Sequence, residues 1–208
     1  MMGMTGVICS GAWFGNRQMI QMLFSRRLIA GLCLCFFPTE PILGNDKAPR
    51  PEQRAIPVRV ERVDGGWQLF RGDEPYFIRG AGGTSQLNLL AACGGNSIRT
   101  WHVREKNLGI DALLDEAHQL GLTVTVGSWH EHERHGFNYN NADQVAEQFA
   151  EVADAVRRYK DHPAVLLWSV GNEMEGYANG DNAAIWSHVN SCAALVKRSE
   201  PNHPTMTV

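Results

Sequence analysis

The sequence lacks both an excess of positive charge and a long apolar run. Its 19 lysines and arginines are balanced by 22 aspartates and glutamates, a formal net charge of −3, so nothing in it indicates a nucleic-acid-binding surface. It has no stretch of about 20 apolar residues, which argues against a multi-span membrane protein. The 44% hydrophobic and 20% charged residues exclude collagen-like, coiled-coil and disordered chains.

Cysteine is scarce as well. Of the five cysteines, Cys9, Cys33 and Cys35 fall in the first 44 residues, and Cys93 and Cys192 remain in the rest of the chain. We therefore do not expect a disulfide framework to hold the domain together. Cys192 lies on the apolar face of a predicted helix and Cys93 ends another, positions typical of small core residues, with a catalytic thiol as the alternative.

A short apolar run, Leu28–Phe37, follows the basic pair Arg26 and Arg27 and ends before Pro38. A basic segment followed by about 7–15 apolar residues is typical of a secretory leader, and this run is too short to cross a bilayer comfortably. A buried helix is the alternative, but the basic flank and the proline-rich exit favour the leader.

This leader sets the expected domain organisation. We expect residues 1–44 to be the leader, the polar and proline-rich residues 45–56 to be a linker, and residues 57–208 to be the folded domain. The protein is then expected to be secreted or periplasmic, without stable membrane insertion once the leader is removed.

The folded part alternates strand-like and helix-like segments. Apolar and polar residues alternate on both sides of Asp64-Gly65-Gly66, which predicts a β-hairpin. Five strands with four intervening helices follow, which predicts an α/β fold with a parallel sheet. The expected strands lie at 76–78, 96–101, 122–126, 164–170 and 205–208, and the expected helix faces at 87–91, 110–117, 145–156 and 185–196.

Two architectures contain such a sheet. A (β/α)₈ TIM barrel needs about 250 residues, so residues 57–208 would supply its first five strands and lack the last three. An open doubly wound sheet could be complete with five strands, but its phosphate fingerprint is missing, because Gly80-Ala-Gly-Gly83 has no G-x-G-x-x-G continuation. We therefore predict an incomplete (β/α)₈ barrel preceded by the β-hairpin.

The most informative segment is Trp168-Ser-Val-Gly-Asn-Glu173, in which an apolar strand leads into polar residues. A carboxylate at the carboxyl end of a barrel strand lies on the face where such folds perform chemistry. Glycosidic cleavage needs two carboxyl groups, one of them a proton donor, and a glutamate leaving an apolar wall suits that role. Asn172 could bind a sugar hydroxyl. Alternatively, Glu173 is a solvated loop acid and Asn172 a helix cap.

This W-S-V-G-N-E segment resembles the fourth-strand signature of glycoside hydrolase clan A, the retaining (β/α)₈ glycosidases. Within the clan, the family 2 barrel domain is the most similar, and the resemblance covers residues 57–208. Further segments resemble the first strand, the second strand and the approach to the fourth: Tyr76–Gly80, Gly95–Trp101 and Tyr159–Ala164.

The resemblance implies hydrolysis of a β-linked oligo- or polysaccharide, with Glu173 as acid/base and Asn172 at the sugar 2-hydroxyl. Arg99 would orient the nucleophile and Trp101 would form a sugar platform, although a surface salt bridge and barrel filling are their alternatives. The family's nucleophile is a glutamate on the seventh strand, which this chain is expected to lack. No metal or organic cofactor is implied. The alternative function is a non-catalytic carbohydrate-binding remnant.

Three histidines and two glutamates lie in the segment His130-Glu-His-Glu-Arg-His135. The helical zinc motif H-E-x-x-H is absent, although His130 and His132 could chelate zinc from a loop, as in a metal-dependent hydrolase. Because the segment follows the third strand, we expect His130 and His132 to lie at the rim of the cleft, where they contact substrate or form hydrogen bonds within the loop. The remaining histidine predictions are a rim position for His102 and surface or capping positions for His118, His162, His188 and His203.

Overall fold

The computed structural model describes residues 54–105, 108–175 and 182–208. The predicted leader, residues 1–44, and nearly all of the predicted linker lie outside these residues. Among the described residues, no helix combines the length and the hydropathy that a bilayer-spanning segment needs.

The predicted hairpin is confirmed. Strand β1 (Val58–Val63) pairs antiparallel with β2 (Gly66–Arg71), and Val63 lies opposite Gly66. The two turn residues, Asp64 and Gly65, have φ of 50° and 85°. Positive φ at both positions is what a two-residue type I′ turn requires, because this turn matches the right-handed twist of the flanking strands.

A short strand, β3 (Glu74–Pro75), pairs with β2 and completes the hairpin sheet. The main chain at Tyr76 continues this pairing through its N–H, which donates to the carbonyl of Leu69, and the Tyr76 hydroxyl donates to the carbonyl of Asn96 at 2.8 Å. The expectation of a parallel strand at 76–78 is therefore wrong, because this segment joins the hairpin to the barrel.

The parallel sheet has five strands whose spatial order equals their chain order. An open doubly wound sheet reverses its strand order at a switch point, whereas a barrel wall adds each strand beside the previous one. The incomplete (β/α)₈ barrel is thus confirmed over the described strands. They are β4 (Gly80–Gly82), β5 (Ser97–Arg99), β8 (Thr123–Ser128), β9 (Val165–Val170) and β10 (Thr205–Met206), and β6 (Arg104–Glu105) and β7 (Leu108–Gly109) form a separate antiparallel pair.

A helix lies between each pair of consecutive barrel strands, as predicted. The longer helices begin at asparagine caps: Asn141 Oδ1 accepts from the N–H of Asp143 and of Gln144, and Asn182 Oδ1 accepts from that of Ala184. Such caps satisfy amides that have no partner within the helix. The helices are α1 (Leu87–Ala92), α2 (Asp111–Gln119), α3 (Ala142–Tyr159) and α4 (Ala183–Ser199).

The core lies between these helices and the sheet. All six residues of β8 are buried, and β9 is buried at five of six positions, as expected for parallel strands covered on both faces. The fully buried aliphatic side chains include Leu114, Val124, Val126, Val165, Leu166 and Val196.

One polar cluster is buried with this core. Glu200 accepts hydrogen bonds from Trp168 Nε1 at 3.0 Å and from the Asn202 N–H at 2.8 Å, and His203 Nδ1 lies 2.9 Å from its Oε2. Burial alone would raise the pKa of Glu200, but these donors outweigh it and hold the pKa below its ordinary value. Of the surface or capping positions predicted for His203, the surface position is therefore wrong.

Two further sequence-based placements differ from the structure. His162 is buried and its Nε2 lies 3.3 Å from Asp115 Oδ1, so the surface alternative is wrong, but its Nδ1 caps the backbone by accepting from the Ala164 N–H at 3.1 Å. Cys93 is exposed rather than part of the core, because it follows the last turn of the short helix α1, directly before Gly94.

We predict that Gly127→Ala destabilises the domain by about 3 kcal/mol, the upper end of the usual cost of overpacking. A Cβ at this position would lie 2.7 Å from the carbonyl carbon of Thr100 and still closer to its oxygen, and neither atom can move without disturbing β5. Chemical denaturation monitored by circular dichroism measures the loss.

The control variant is Gly66→Ala, because the nearest atom to its added Cβ is the Val63 carbonyl oxygen at 3.7 Å. Its effect should stay below about 1 kcal/mol. Equal stabilities of the two variants would contradict the close approach of β5 and β8 at Gly127.

Candidate active site

The carboxyl ends of three neighbouring barrel strands bring the predicted site residues to one edge of the sheet. Arg99 ends β5, and Trp101 follows it. The histidine-rich segment follows β8, and Gly171-Asn172-Glu173 follows β9. Ligand and catalytic groups of barrel enzymes lie at this edge.

The backbone turns sharply after β9. Gly171 still belongs to the ladder, since its N–H donates to the carbonyl of Ser128 at 3.0 Å, but its φ is 77°. Glu173 also has a left-handed φ, 51°, which is uncommon and strained for a residue with a Cβ. As a result Glu173 is exposed, whereas the next side chain, Met174, is buried.

Arg99 joins two of these strand ends. Its Nη2 donates to Asn172 Oδ1 at 2.7 Å, and its guanidinium carbon lies 5.8 Å from the Trp101 ring centroid. Burial lowers the pKa of Arg99, and the nearby negative charge of Glu173 opposes that shift. The structure therefore brings Arg99, Asn172 and Glu173 together, and it pairs Arg99 with a site amide rather than with a surface carboxylate.

Trp101 remains partly open to solvent, with 39% of its surface exposed. Its indole lies against β4, where a Cβ added to Gly82 would come within 2.9 Å of Trp101 Cη2. The glycine thus makes room for the ring. The indole is thus supported on one side and partly exposed, so part of its ring remains available for stacking against a ligand.

Substrate contact by His130 and His132 is contradicted, whereas the alternative prediction of hydrogen bonding within the loop is confirmed for His130, whose Nδ1 lies 3.1 Å from the Ser128 carbonyl oxygen. The two side chains are 0% and 3% exposed, so neither presents a surface to a substrate. Burial, with a smaller contribution from His188, lowers the pKa of His130 to about 4. Burial also lowers the pKa of His132, with Arg134 and His135 adding to the shift.

His102, by contrast, lies at the rim as predicted. It is exposed and stacks on Trp129 with ring centroids 5.0 Å apart and an interplanar angle of 24°. A cleft of about 360 Å³ adjoins this pair, which sequence reasoning missed. Its other lining residues are Phe137, Gln144, Gln148 and the glutamates Glu131, Glu147 and Glu151.

Sequence reasoning also missed the burial of His188, for which a surface or capping position was predicted. His188 is buried on α4, its Nε2 3.0 Å from Gln148 Nε2 and 3.4 Å from Cys192 Sγ. The signal was available, because His188 lies three residues after Ile185 and four before Cys192 on the apolar face of α4. Cys192 is fully buried, which confirms the predicted core position, and this burial raises the pKa of its thiol to about 12.

Comparison with known proteins is consistent with this geometry. The family model described as "Glycosyl hydrolases family 2, TIM barrel domain" matches residues 84–196. A β-glucuronidase of Paenibacillus borealis is 27% identical over 180 residues, which cover 75% of this chain and 29% of that protein. The β-galactosidase BgaA of Planococcus sp. (strain 'SOS Orange') is 51% identical over 41 residues, which cover 20% of this chain and 5% of that protein.

Solved structures show the same fold. The β-D-glucuronidase structure of Dictyoglomus thermophilum has a TM-score of 0.56 at 22% identity and covers 73% of this chain and 28% of that chain. The Parabacteroides merdae β-glucuronidase with glycerol in its active site has a TM-score of 0.57 at 18% identity, and the match covers 72% of this chain and 20% of that chain. The present chain thus spans less than a third of the length of these relatives.

We predict an energetic coupling of about 1 kcal/mol between Arg99 and Asn172, below the range of about 1.5–3 kcal/mol for hydrogen bonds to charged groups because Arg99 is partly solvated. The free energies of unfolding of Arg99→Ala, Asn172→Ala and the double variant give this coupling as a double-mutant cycle.

The control cycle uses Arg157 and Asp154, an ion pair on α3 whose side chains are 77% and 42% exposed. Its coupling should be a few tenths of a kcal/mol at most. A coupling between Arg99 and Asn172 no larger than in this control would contradict their contact in solution.

Proposed function

Because the chain belongs to glycoside hydrolase family 2, whose TIM-barrel domain model matches residues 84–196, we propose that it carries the acid/base half of a retaining β-glycosidase site. One observation carries this proposal: Glu173 is exposed at the carboxyl end of β9, directly beside the contact between Arg99 and Asn172. The proposed substrate is a β-linked oligo- or polysaccharide.

In the proposed reaction, the Glu173 carboxylic acid gives its proton to the glycosidic oxygen as the bond to the anomeric carbon breaks. A second carboxylate, about 5–5.5 Å from the first in retaining enzymes, attacks that carbon and forms a glycosyl–enzyme ester. The Glu173 carboxylate then takes a proton from water, and the resulting attack on the anomeric carbon releases the sugar and regenerates both groups.

Asn172 is proposed to hold the sugar by its amide nitrogen. Its Oδ1 is already occupied by Arg99 Nη2 at 2.7 Å, so the amide orientation is fixed and the Nδ2 hydrogens remain for an acceptor. A sugar hydroxyl oxygen is such an acceptor, and Trp101 offers an apolar surface beside it. Arg99 keeps its positive charge and could orient the second carboxylate.

We propose that this second carboxylate comes from residues outside the present sequence. The family pattern puts the nucleophile on the seventh barrel strand, whereas the described sheet consists of five parallel strands. Export of the protein to the periplasm or beyond is likewise a proposal, supported by the basic pair Arg26-Arg27 and the apolar run after it.

The acid/base role predicts a dependence on the leaving group. In the longer protein that carries this barrel with its seventh strand, Glu173→Gln should lower the turnover of glycosides with alkyl or sugar leaving groups about 10²–10⁴-fold. Nitrophenyl β-glycosides should lose far less in the glycosylation step, because nitrophenolate leaves without a proton.

Glu175→Gln is the matched control, since Glu175 is also exposed and lies two residues further on. It should leave both rates nearly unchanged. Equal losses on good and poor leaving groups in Glu173→Gln, with chemistry rate-limiting for both, would contradict the acid/base role. Sugar binding without any turnover by the longer protein would instead identify a carbohydrate-binding remnant.

The 208-residue chain by itself should not turn over nitrophenyl β-glycosides, because retention needs two carboxyl groups and only Glu173 is proposed here. An assay of the full chain against a panel of nitrophenyl sugars measures this. Turnover that Glu173→Ala abolishes would show that both carboxylates lie within these residues.

A further inference from the structure

We propose that His130, His188 and Cys192 form a buried binding site for a single Zn²⁺ ion that ties the end of β8 to α4. One ring nitrogen of each histidine and the Cys192 sulfur lie within 4.8 Å of one another, and all three residues are buried. The proposal is independent of the glycosidase reaction, because no catalytic role is assigned to the metal.

The distances suit a metal. Tetrahedral zinc with Zn–N of about 2.0–2.1 Å and Zn–S of about 2.3 Å keeps neighbouring ligand atoms about 3.4–3.6 Å apart. His188 Nε2 and Cys192 Sγ are 3.4 Å apart, so this pair is already at the required separation. The His130 nitrogen lies within 4.8 Å of the other two ligand atoms and must approach them by up to about 1 Å when the ion binds.

The ligands come from elements that hold them well. His188 and Cys192 are four residues apart on α4, so their side chains share one helix face. The same i, i+4 spacing positions the two histidines of helical zinc motifs. His130 approaches from the segment after β8, and its ring centroid lies 4.9 Å from that of His188.

The hydrogen bonding of His130 is that of a metal ligand. Its Nδ1 lies 3.1 Å from the Ser128 carbonyl oxygen, a contact that requires Nδ1 to carry the proton and leaves Nε2 with a lone pair. This Nε2 is buried without a hydrogen-bond partner among the described residues. Metal-bound histidines usually donate their other N–H to a carbonyl in this way, which fixes tautomer and ring orientation.

Hydrogen bonds alone, without a metal ion, leave part of this cluster without a partner. Gln148 Nε2 or the Cys192 thiol can donate to the single lone pair of His188 Nε2. His130 Nε2 still lacks a donor, although unpaired buried polar atoms are rare. A metal ion would satisfy all three ligand atoms.

The ligand set indicates the kind of ion. Two imidazoles and one thiolate favour a borderline-soft ion such as Zn²⁺ over the oxygen-seeking Mg²⁺ and Ca²⁺. Binding replaces the S–H bond of Cys192 by an S–Zn bond and releases one proton. A cleft of about 530 Å³ between α3 and α4, lined by His188, Tyr139 and Phe149, provides an entry path.

The site lies directly beneath the candidate active site. A Cβ added to Gly171 would be 3.9 Å from His130 Cγ, so the His130 ring supports the backbone that leads to Asn172 and Glu173. A bound ion would fix His130 and thereby stiffen this turn. The expected effect is on stability and on the order of the turn.

The test uses the full chain with Cys9, Cys33, Cys35 and Cys93 changed to serine, so that Cys192 is its sole thiol. After treatment with a chelator, the protein is titrated with Co²⁺, which replaces zinc and has an optical spectrum. We expect one Co²⁺ per chain, a thiolate-to-cobalt charge-transfer band, displacement of Co²⁺ by Zn²⁺ and a higher melting temperature with Zn²⁺.

His130→Gln and His188→Gln should each weaken Zn²⁺ binding more than about 100-fold. Loss of a group that only hydrogen-bonds to a metal ligand already lowers metal affinity about 10–100-fold, and loss of the ligand itself should cost more. His118→Gln, at an exposed position on α2, is the control and should leave binding unchanged. Far-UV circular dichroism checks that each variant folds.

Two results would overturn the proposal. The first is absence of the thiolate band in the single-thiol chain, a measurement that requires no ligand variant. The second is unchanged Zn²⁺ affinity in either folded histidine variant, which would remove that residue from the site. Loss of glycosidase activity in the longer protein would affect neither result, so failure of the proposed function and failure of this site are distinguishable.

Discussion

The parallel ladder around β8 is the constraint on which the candidate site depends. Val126, Gly127 and Ser128 lie opposite Trp168, Ser169 and Val170 of β9. On its other side, a carbonyl of the β5 end lies so close to Gly127 that no side chain fits there. Because parallel strands end at the same edge of a sheet, this ladder fixes the distance between the residues that follow each strand.

The ladder alone does not decide which site residues are exposed and which are buried. The turn of the backbone after β9 decides it. Gly171 pairs with Ser128 and then turns through a left-handed conformation, and Glu173 adopts a second one. A regular strand would have alternated its side chains between the two faces. The strain at Glu173 is the kind that surrounding structure has to hold in place, here by the contact of Arg99 with Asn172 and by the N–H of Glu173 donating to the carbonyl of Val208.

Sequence reasoning succeeded where the hydrophobic pattern of a segment or a single local rule decides the structure. The hairpin around Asp64-Gly65, the buried strand at 164–170 and the position of Glu173 at the end of that strand follow from turn chemistry, continuous hydrophobicity and strand ends. It missed the burial of His130 and His132, because no repeat fixes side-chain direction once a strand has ended. It also failed for His188, whose polarity outweighed its position on an apolar helix face.

The polar groups at this edge of the sheet differ in their contact with water: Arg99 and Glu173 are at least partly exposed, whereas His130 and His188 are buried. Arg99 carries a positive charge, and Glu173 has to exchange a proton with substrate and water in the proposed reaction. Charged groups are costly to bury without compensation, so both side chains lie partly or wholly open to water. The imidazoles of His130 and His188 are neutral when deprotonated, and burial lowers the pKa of each, so they can pack beneath the turn. A neutral, buried layer of nitrogen and sulfur under a charged, exposed layer gives the strained turn a rigid base while its carboxylate remains accessible to a substrate.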